Sequence, residues 1–87
     1  TPQPGNLTFP VMQRLCGSGL IVDENEALES MAIAFLRLKL VAEPGGAVAL
    51  AAAIFRKGEI EGNDVVVVIS GGNVDPDLFA KSLNTLV

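Results

Sequence analysis

Two short stretches carry residue types that could do chemistry. Ser70-Gly71-Gly72-Asn73 follows the unbroken apolar run 65–69, and Glu43 opens the run Glu43-Pro44-Gly45-Gly46. A hydroxyl beside two glycines at the end of an apolar strand can meet a ligand closely, because glycine lets other atoms approach the main chain. Three readings of 70–73 compete. In a phosphate cradle, backbone N–H groups at a helix start would hold an anion. Asp75 and Asp77 already place negative charge there, no Lys or Arg lies nearby in sequence, and the spacing is not that of a P-loop. In a contact with a flat, neutral, hydrogen-bonding ring, Ser70 would bond a ring heteroatom while Gly71 and Gly72 leave room for its edge. The plainest reading is a tight turn whose glycines satisfy positive φ, and on these residues alone it ranks first.

The elements that must position these residues can be read locally. Residues 1–19 hold three prolines and three glycines and read as a loop with one turn of helix over 10–15, a segment that wraps over something else. Residues 20–22 form a short apolar strand candidate. Asp23 and Glu26 have capping-box spacing, and Glu24 and Glu29 suit the positive end of a helix dipole. The helix that follows should reach Lys39, with Leu28, Met31, Ala32, Phe35 and Leu38 on one stripe. Residues 40–42 read as extended ahead of Pro44. Glu43 then reads as a helix cap with Pro44 at the first helical position, opening an alanine-rich helix over 46–56 that is apolar nearly all round.

Residues 59–64 make a polar turn around Gly62-Asn63. The run 65–69 is the clearest strand, and its lack of alternation predicts burial on both faces, as in a central parallel strand. Asp75-Pro76 opens a last helix over 76–84, with Leu78, Phe79 and Leu83 inward. The order predicts an α/β fold: part of a three-layer sandwich, the C-terminal portion of an open, mostly parallel sheet with flanking helices. So few strands cannot complete a sheet, so residues 20–87 are expected to be one portion of a larger catalytic domain.

Composition narrows the function classes. The 87 residues allow one small domain. They are 49% hydrophobic and 18% charged, with a mean hydropathy of +0.46. That is apolar for a domain of this size and predicts faces covered by other protein. No apolar run approaches the ~18 residues of a membrane helix, and no membrane partner is expected. Ten acidic and six basic residues give a net charge of −4, and there is no histidine. Without a basic cluster, nucleic-acid binding is not expected. Cys16 is the one cysteine, which excludes an internal disulfide and fits a cytoplasmic setting; its surroundings read as those of a spectator thiol. The acidic run 23–26 reads as a helix start, and no metal site is expected. The chain opens on Thr1 without an initiator Met, which reads as a trimmed or partial product.

The segments "GNLTFP", "LKLVAEPGGAVALAAAI" and "VVVVISGGNVD" resemble, in order and spacing, the C-terminal part of the threonine dehydratase and serine racemase group. These are fold-type II pyridoxal-phosphate enzymes, similar to the tryptophan synthase β chain. The resemblance covers roughly residues 5–83. It implies that Ser70 hydrogen-bonds the pyridine nitrogen of pyridoxal phosphate, that Gly71, Gly72 and Asn73 shape that end of the pocket, and that Glu43 lies by the cofactor ring. Gly45 stands where the family often has Ser or Thr, which puts a hydroxyl contact there in doubt. The family's Schiff-base lysine, glycine-rich phosphate loop and metal ligands belong to segments upstream of the region matched. Lys39, Lys57 and Lys81 read as solvated charges, and no catalytic residue is expected in this chain. The resemblance implies part of an amino-acid ammonia-lyase of threonine/serine dehydratase type, inactive alone and not expected to hold cofactor by itself. It would be completed by the remainder of its own catalytic domain, act on a hydroxy amino acid and form a homo-oligomer. A serine racemase or hydroxyaspartate dehydratase, or a non-catalytic interaction module of the same fold, are the alternatives.

Overall fold

The computed structural model describes residues 3–86. Thr1, Pro2 and Val87, the outer ends of the expected 1–19 and 20–87 segments, lie outside the described residues. Four helices follow in chain order: α1 (Thr8–Leu15), α2 (Glu24–Ile33), α3 (Val48–Phe55) and α4 (Pro76–Asn84). A π-helical turn, Ala34–Leu38, extends α2, and a 3-10 turn, Lys57–Glu59, follows α3.

Helix α2 is the hub, packing against both α3 and α4. It starts as its sequence predicts. The Asp23 carboxylate accepts from the Glu26 N–H at 2.7 Å, and the Glu26 carboxylate accepts from the Asp23 N–H at 2.9 Å. Its end is less regular. The chain widens into the π-helical turn and stops at Lys39, which adopts the left-handed conformation at φ 61°. The Lys39 ammonium donates to the Leu36 carbonyl at 2.7 Å, so it serves the helix end.

Glu26 has a second role. Arg56, at the C-terminal end of α3, sends a two-pronged guanidinium to the Glu26 carboxylate at 2.6 and 2.7 Å. Its Nε donates to the Ile21 carbonyl at 3.0 Å. One residue thus ties the entry of α2 to the exit of α3. The hydrogen bond from Arg56, then that from the Asp23 N–H, hold the Glu26 carboxyl below the usual glutamate range against the opposing effect of burial.

The core is small. Leu28, Met31, Ala42 and Ala47 are buried together, with Ile69, Val74, Leu78 and Phe79 packed on them. Phe79 meets Phe35 edge to face, with ring centroids 5.2 Å apart. Ser82 of α4 is fully buried and donates to the Leu28 carbonyl at 2.7 Å, which fixes α4 on α2. Helix α4 has the predicted bounds, with Pro76 in its first turn and the Asp75 carboxylate accepting from the Leu78 N–H at 3.4 Å.

Two expectations need correction. The stretch 1–19 is more helical than its prolines suggest. Pro10 falls in the first turn of α1, where its missing N–H has no intrahelical acceptor to lose. This helix packs on no other, and Leu7 and Leu15 stand exposed. Second, Glu43 is not a side-chain cap and Pro44 does not begin a helix. Residues 44–46 form a turn, and α3 starts at Val48. Two consecutive glycines are poor helix formers, and their main chain is engaged elsewhere, as described below. In the run 65–69, Val66 is 91% and Val68 67% exposed, while Val67 and Ile69, which alternate with them, are half-buried. The runs 20–22, 40–42 and 65–69 form no helix, and no ladder pairs them among the described residues. A strand is held by the N–H and C=O groups of a neighbouring strand; here the Leu40 N–H donates to the Ala34 carbonyl and the Ile21 carbonyl accepts from Arg56.

Candidate functional site

The two stretches singled out by residue type, 43–46 and 70–73, come together. The same device holds each of them. Ala42 and Ala47 bracket the first and belong to the buried cluster; Ile69 and Val74 bracket the second and pack on that cluster. Each turn is pinned at both ends by apolar residues, and its polar residues are raised from the core between the pins.

Main-chain bonds join the turns. The Glu43 N–H donates to the Gly71 carbonyl at 2.8 Å, and the Ser70 N–H donates to the Gly46 carbonyl at 3.4 Å. The Val74 N–H closes a tight turn onto the Gly72 carbonyl at 3.0 Å. Three glycines make this approach possible. A Cβ on Gly46 would stand 2.6 Å from the Gly71 oxygen and 2.8 Å from its nitrogen. A Cβ on Gly71 would strike the Glu43 carboxylate, and one on Gly72 would strike the Val41 carbonyl. Gly45 differs, because a Cβ there meets nothing within 4 Å. None of these four glycines has a positive φ; among the described glycines only Gly62 does. Their role is close approach, and the reading in which 71 and 72 satisfy positive φ does not hold.

Ser70 and Asn73 are exposed and Glu43 is half-buried. Among the described residues, their side chains make no hydrogen bond with protein. Neither packed hydrocarbon nor α4 covers Ser70. The start of α4 is a poor anion site, because Asp75 caps it and Asp77 adds charge in its first turn. The arrangement offers a hydroxyl, a carboxylate and an amide around a glycine-lined edge, with no cation among them. It suits a neutral, planar, hydrogen-bonding partner better than a phosphate. No group of three or more metal-ligating side chains forms among the described residues. Two grooves elsewhere, one lined by Gln3, Pro4 and Phe9 and one by Lys57, Ile60 and Asn63, bring no two titratable side chains together. No described helix is long and apolar enough to cross a membrane.

Sequence reasoning missed the contribution of Gly46 and the apolar brackets. The signal was there: an apolar residue on each side of a four-residue polar turn, twice, with a glycine pair in each turn.

A family profile for pyridoxal-phosphate dependent enzymes matches residues 1–71. The chain belongs to that family. Among the relatives of this pyridoxal-phosphate enzyme chain is an L-threo-3-hydroxyaspartate ammonia-lyase of a Pseudomonas species, 37% identical over 95% of the chain and 26% of that protein. A serine racemase of Oryza sativa subsp. indica is 36% identical over 91% of the chain and 25% of its own length. An L-threonine ammonia-lyase of Thermotoga maritima is 34% identical over 94% of the chain and 20% of its own length. The chain therefore spans a fifth to a quarter of the length of these relatives. No solved structure gives a significant match. Pyridoxal phosphate is the cofactor of the family, and the exposed Ser70 hydroxyl is of a type that can hydrogen-bond a ring nitrogen. The hydroxyl is unengaged and no charged donor competes, while the volume that side chains at 71 and 72 would take is filled by the Glu43 carboxylate and the Val41 carbonyl. The phosphate end would need cationic or N–H donors that this site does not offer.

Proposed function

We propose that this chain supplies the ring-nitrogen end of the cofactor site in a pyridoxal-phosphate ammonia-lyase acting on a hydroxy amino acid, of the threonine or serine dehydratase type. The observation that carries the reading is the Ser70 hydroxyl, solvent-facing and without a protein partner, held on a turn clamped against the Glu43 turn. When bound, pyridoxal phosphate supplies an electron sink for charge developing at the α-carbon of an amino acid. Ser70 would donate a hydrogen bond from its hydroxyl to the pyridine nitrogen. A neutral hydroxyl leaves that nitrogen largely unprotonated, which makes the sink moderate and suits loss of a β-hydroxyl. Gly71 and Gly72 would keep the turn close on Glu43 and Val41 beside the ring edge, with Asn73 at its rim. Glu43 would lie beside the ring with its carboxylate steadied against Gly71. Nothing in this arrangement abstracts the α-proton, so that base and the cofactor-binding lysine would come from the remainder of the parent domain.

The same reading extends to the fold. Residues 65–69 would be a strand of a mostly parallel α/β sheet, flanked on both edges by strands of the parent, and the exposed Val66 and Val68 would mark one face for a layer of the parent to cover. Assembly of the parent as a homo-oligomer and a cytoplasmic setting belong to the same proposal. A racemase is the second reading, favoured by relatives of that name at nearly equal identity.

The test uses the full-length parent with Ser70→Ala and Ser70→Asp. Ser70→Ala should shift the absorption and fluorescence of bound cofactor and lower kcat by about tenfold or more, since each 1.36 kcal/mol off the transition state is tenfold. Ser70→Asp should raise the pH at which the ring nitrogen loses its proton. Spectra identical to wild type in both variants would end the Ser70 assignment. Keto acid release from L-threonine or L-serine separates the lyase from a racemase, which returns the other enantiomer; no turnover would favour a non-catalytic interaction module.

A further inference from the structure

We infer that Gly46 is a positioning residue for Ser70: the main chain at 46 is the seat on which the 70–73 turn rests, and only glycine fits it. The inference deepens the proposed cofactor contact and rests on that reading.

Gly46 is buried, and no positive φ demands a glycine there. The demand is steric. The 2.6 Å and 2.8 Å separations from a Cβ at 46 are to the oxygen and nitrogen of Gly71, which are backbone atoms that no side-chain rotation can move. Ordinary contact begins near 3.4 Å. A methyl at 46 is thus short of room by roughly 0.8 Å, the difference between the observed and ordinary separations.

Neither turn can retreat cheaply. On one side Ala47, fully buried, follows Gly46 directly; on the other Ile69, packed on the same cluster, precedes Ser70 directly. The Glu43 N–H holds the Gly71 carbonyl while the Ser70 N–H reaches the Gly46 carbonyl. A methyl at 46 would therefore relax by pushing residues 70 and 71 outward. A hydroxyl contact tolerates only about 2.5–3.0 Å between heavy atoms, so such a shift removes it. Its neighbour provides the control, since Gly45 faces open space and its replacement disturbs nothing in the site.

The experiment compares Gly46→Ala, Gly45→Ala, Ser70→Ala and the double variant Gly46→Ala/Ser70→Ala in the full-length holoenzyme. Readouts are the absorption and fluorescence of bound cofactor, its dissociation constant, and the Tm of the cofactor-free protein. Gly46→Ala should reproduce the spectral change of Ser70→Ala and weaken cofactor binding by about tenfold. Gly45→Ala should match wild type in both. In the double variant, Gly46→Ala should add no spectral change to that of Ser70→Ala, an outcome that loss of stability alone does not produce. A wild-type spectrum in Gly46→Ala beside a shifted one in Ser70→Ala overturns this inference and leaves the Ser70 reading standing. An unshifted Ser70→Ala overturns both. Should Gly46→Ala fail to fold, amide exchange in the wild-type holoenzyme decides: a protected Ser70 N–H supports the seat, and one exchanging like a free loop amide overturns it.

Discussion

The molecule joins its segments in two different ways. Where α2 begins and α3 ends, charge does the joining: Asp23, Glu26 and Arg56 saturate one another and the Ile21 carbonyl. Where residues 43–46 meet 70–73, main chain touches main chain and the polar side chains stay unengaged. In the first region the functional groups are used up in holding the fold. In the second, glycines hold the fold and the functional groups remain free for something else. A binding site is recognisable here less by which polar residues it contains than by how few of them the protein itself employs.

Substitutions can break this contrast or sharpen it. The largest effect should come from the hub beneath both regions. Met31→Ala removes a fully buried side chain from the cluster that carries Ala42 and Ala47 and should cost about 2–4 kcal/mol. Urea unfolding should show this as a lower midpoint, and an unchanged midpoint would mean that the turns do not rest on this core. Next comes a paired test within the glycine-held region. Gly72→Ala places a methyl on the Val41 carbonyl and should cost about 1–3 kcal/mol, the usual range for overpacking. Gly45→Ala should fall within about 0.5 kcal/mol of wild type, as surface changes do. Equal effects at 45 and 72 would erase the steric argument.

The charge-held region should respond to pH, and the glycine-held contacts should not. Glu26 has its pKa lowered in the folded state, chiefly by the Arg56 hydrogen bond. The stability it contributes is therefore complete above the ordinary glutamate value of about 4.3 and is lost as pH falls through the lower folded value. Glu26→Gln should flatten that part of the curve of Tm against pH, and a curve that keeps its wild-type slope would remove Glu26 from the account. A small effect belongs to Lys39, where the π-helical turn ends. Lys39→Gly relieves a left-handed residue but gives up the bond to the Leu36 carbonyl, so a gain under about 1 kcal/mol is expected in thermal unfolding.

Legibility in the sequence followed the range of the interaction. The capping box of Asp23 and Glu26 and the start of α4 behind Asp75 span three residues each, and both form as predicted. The Arg56–Glu26 pair spans 30 positions, and no local rule selects that partner. The start of α3 was misplaced for a related reason: Gly46 looked like the first residue of an alanine helix, yet it serves a segment more than twenty positions away. Within the candidate site, the residue types were readable at Ser70 and Glu43, whereas the contact that brings them together depends on side chains that are missing. A glycine announces its freedom in a sequence but not the neighbour that occupies the vacated volume.

The apolar pins on either side of each turn carry an evolutionary consequence. Because Ala42, Ala47, Ile69 and Val74 fix where the loops begin and end, what stands between them can be rewritten without renegotiating the scaffold. Position 45, with nothing near it, is the open slot in that socket. A lineage, or a protein engineer, could replace the residue there without shifting the turns that flank it.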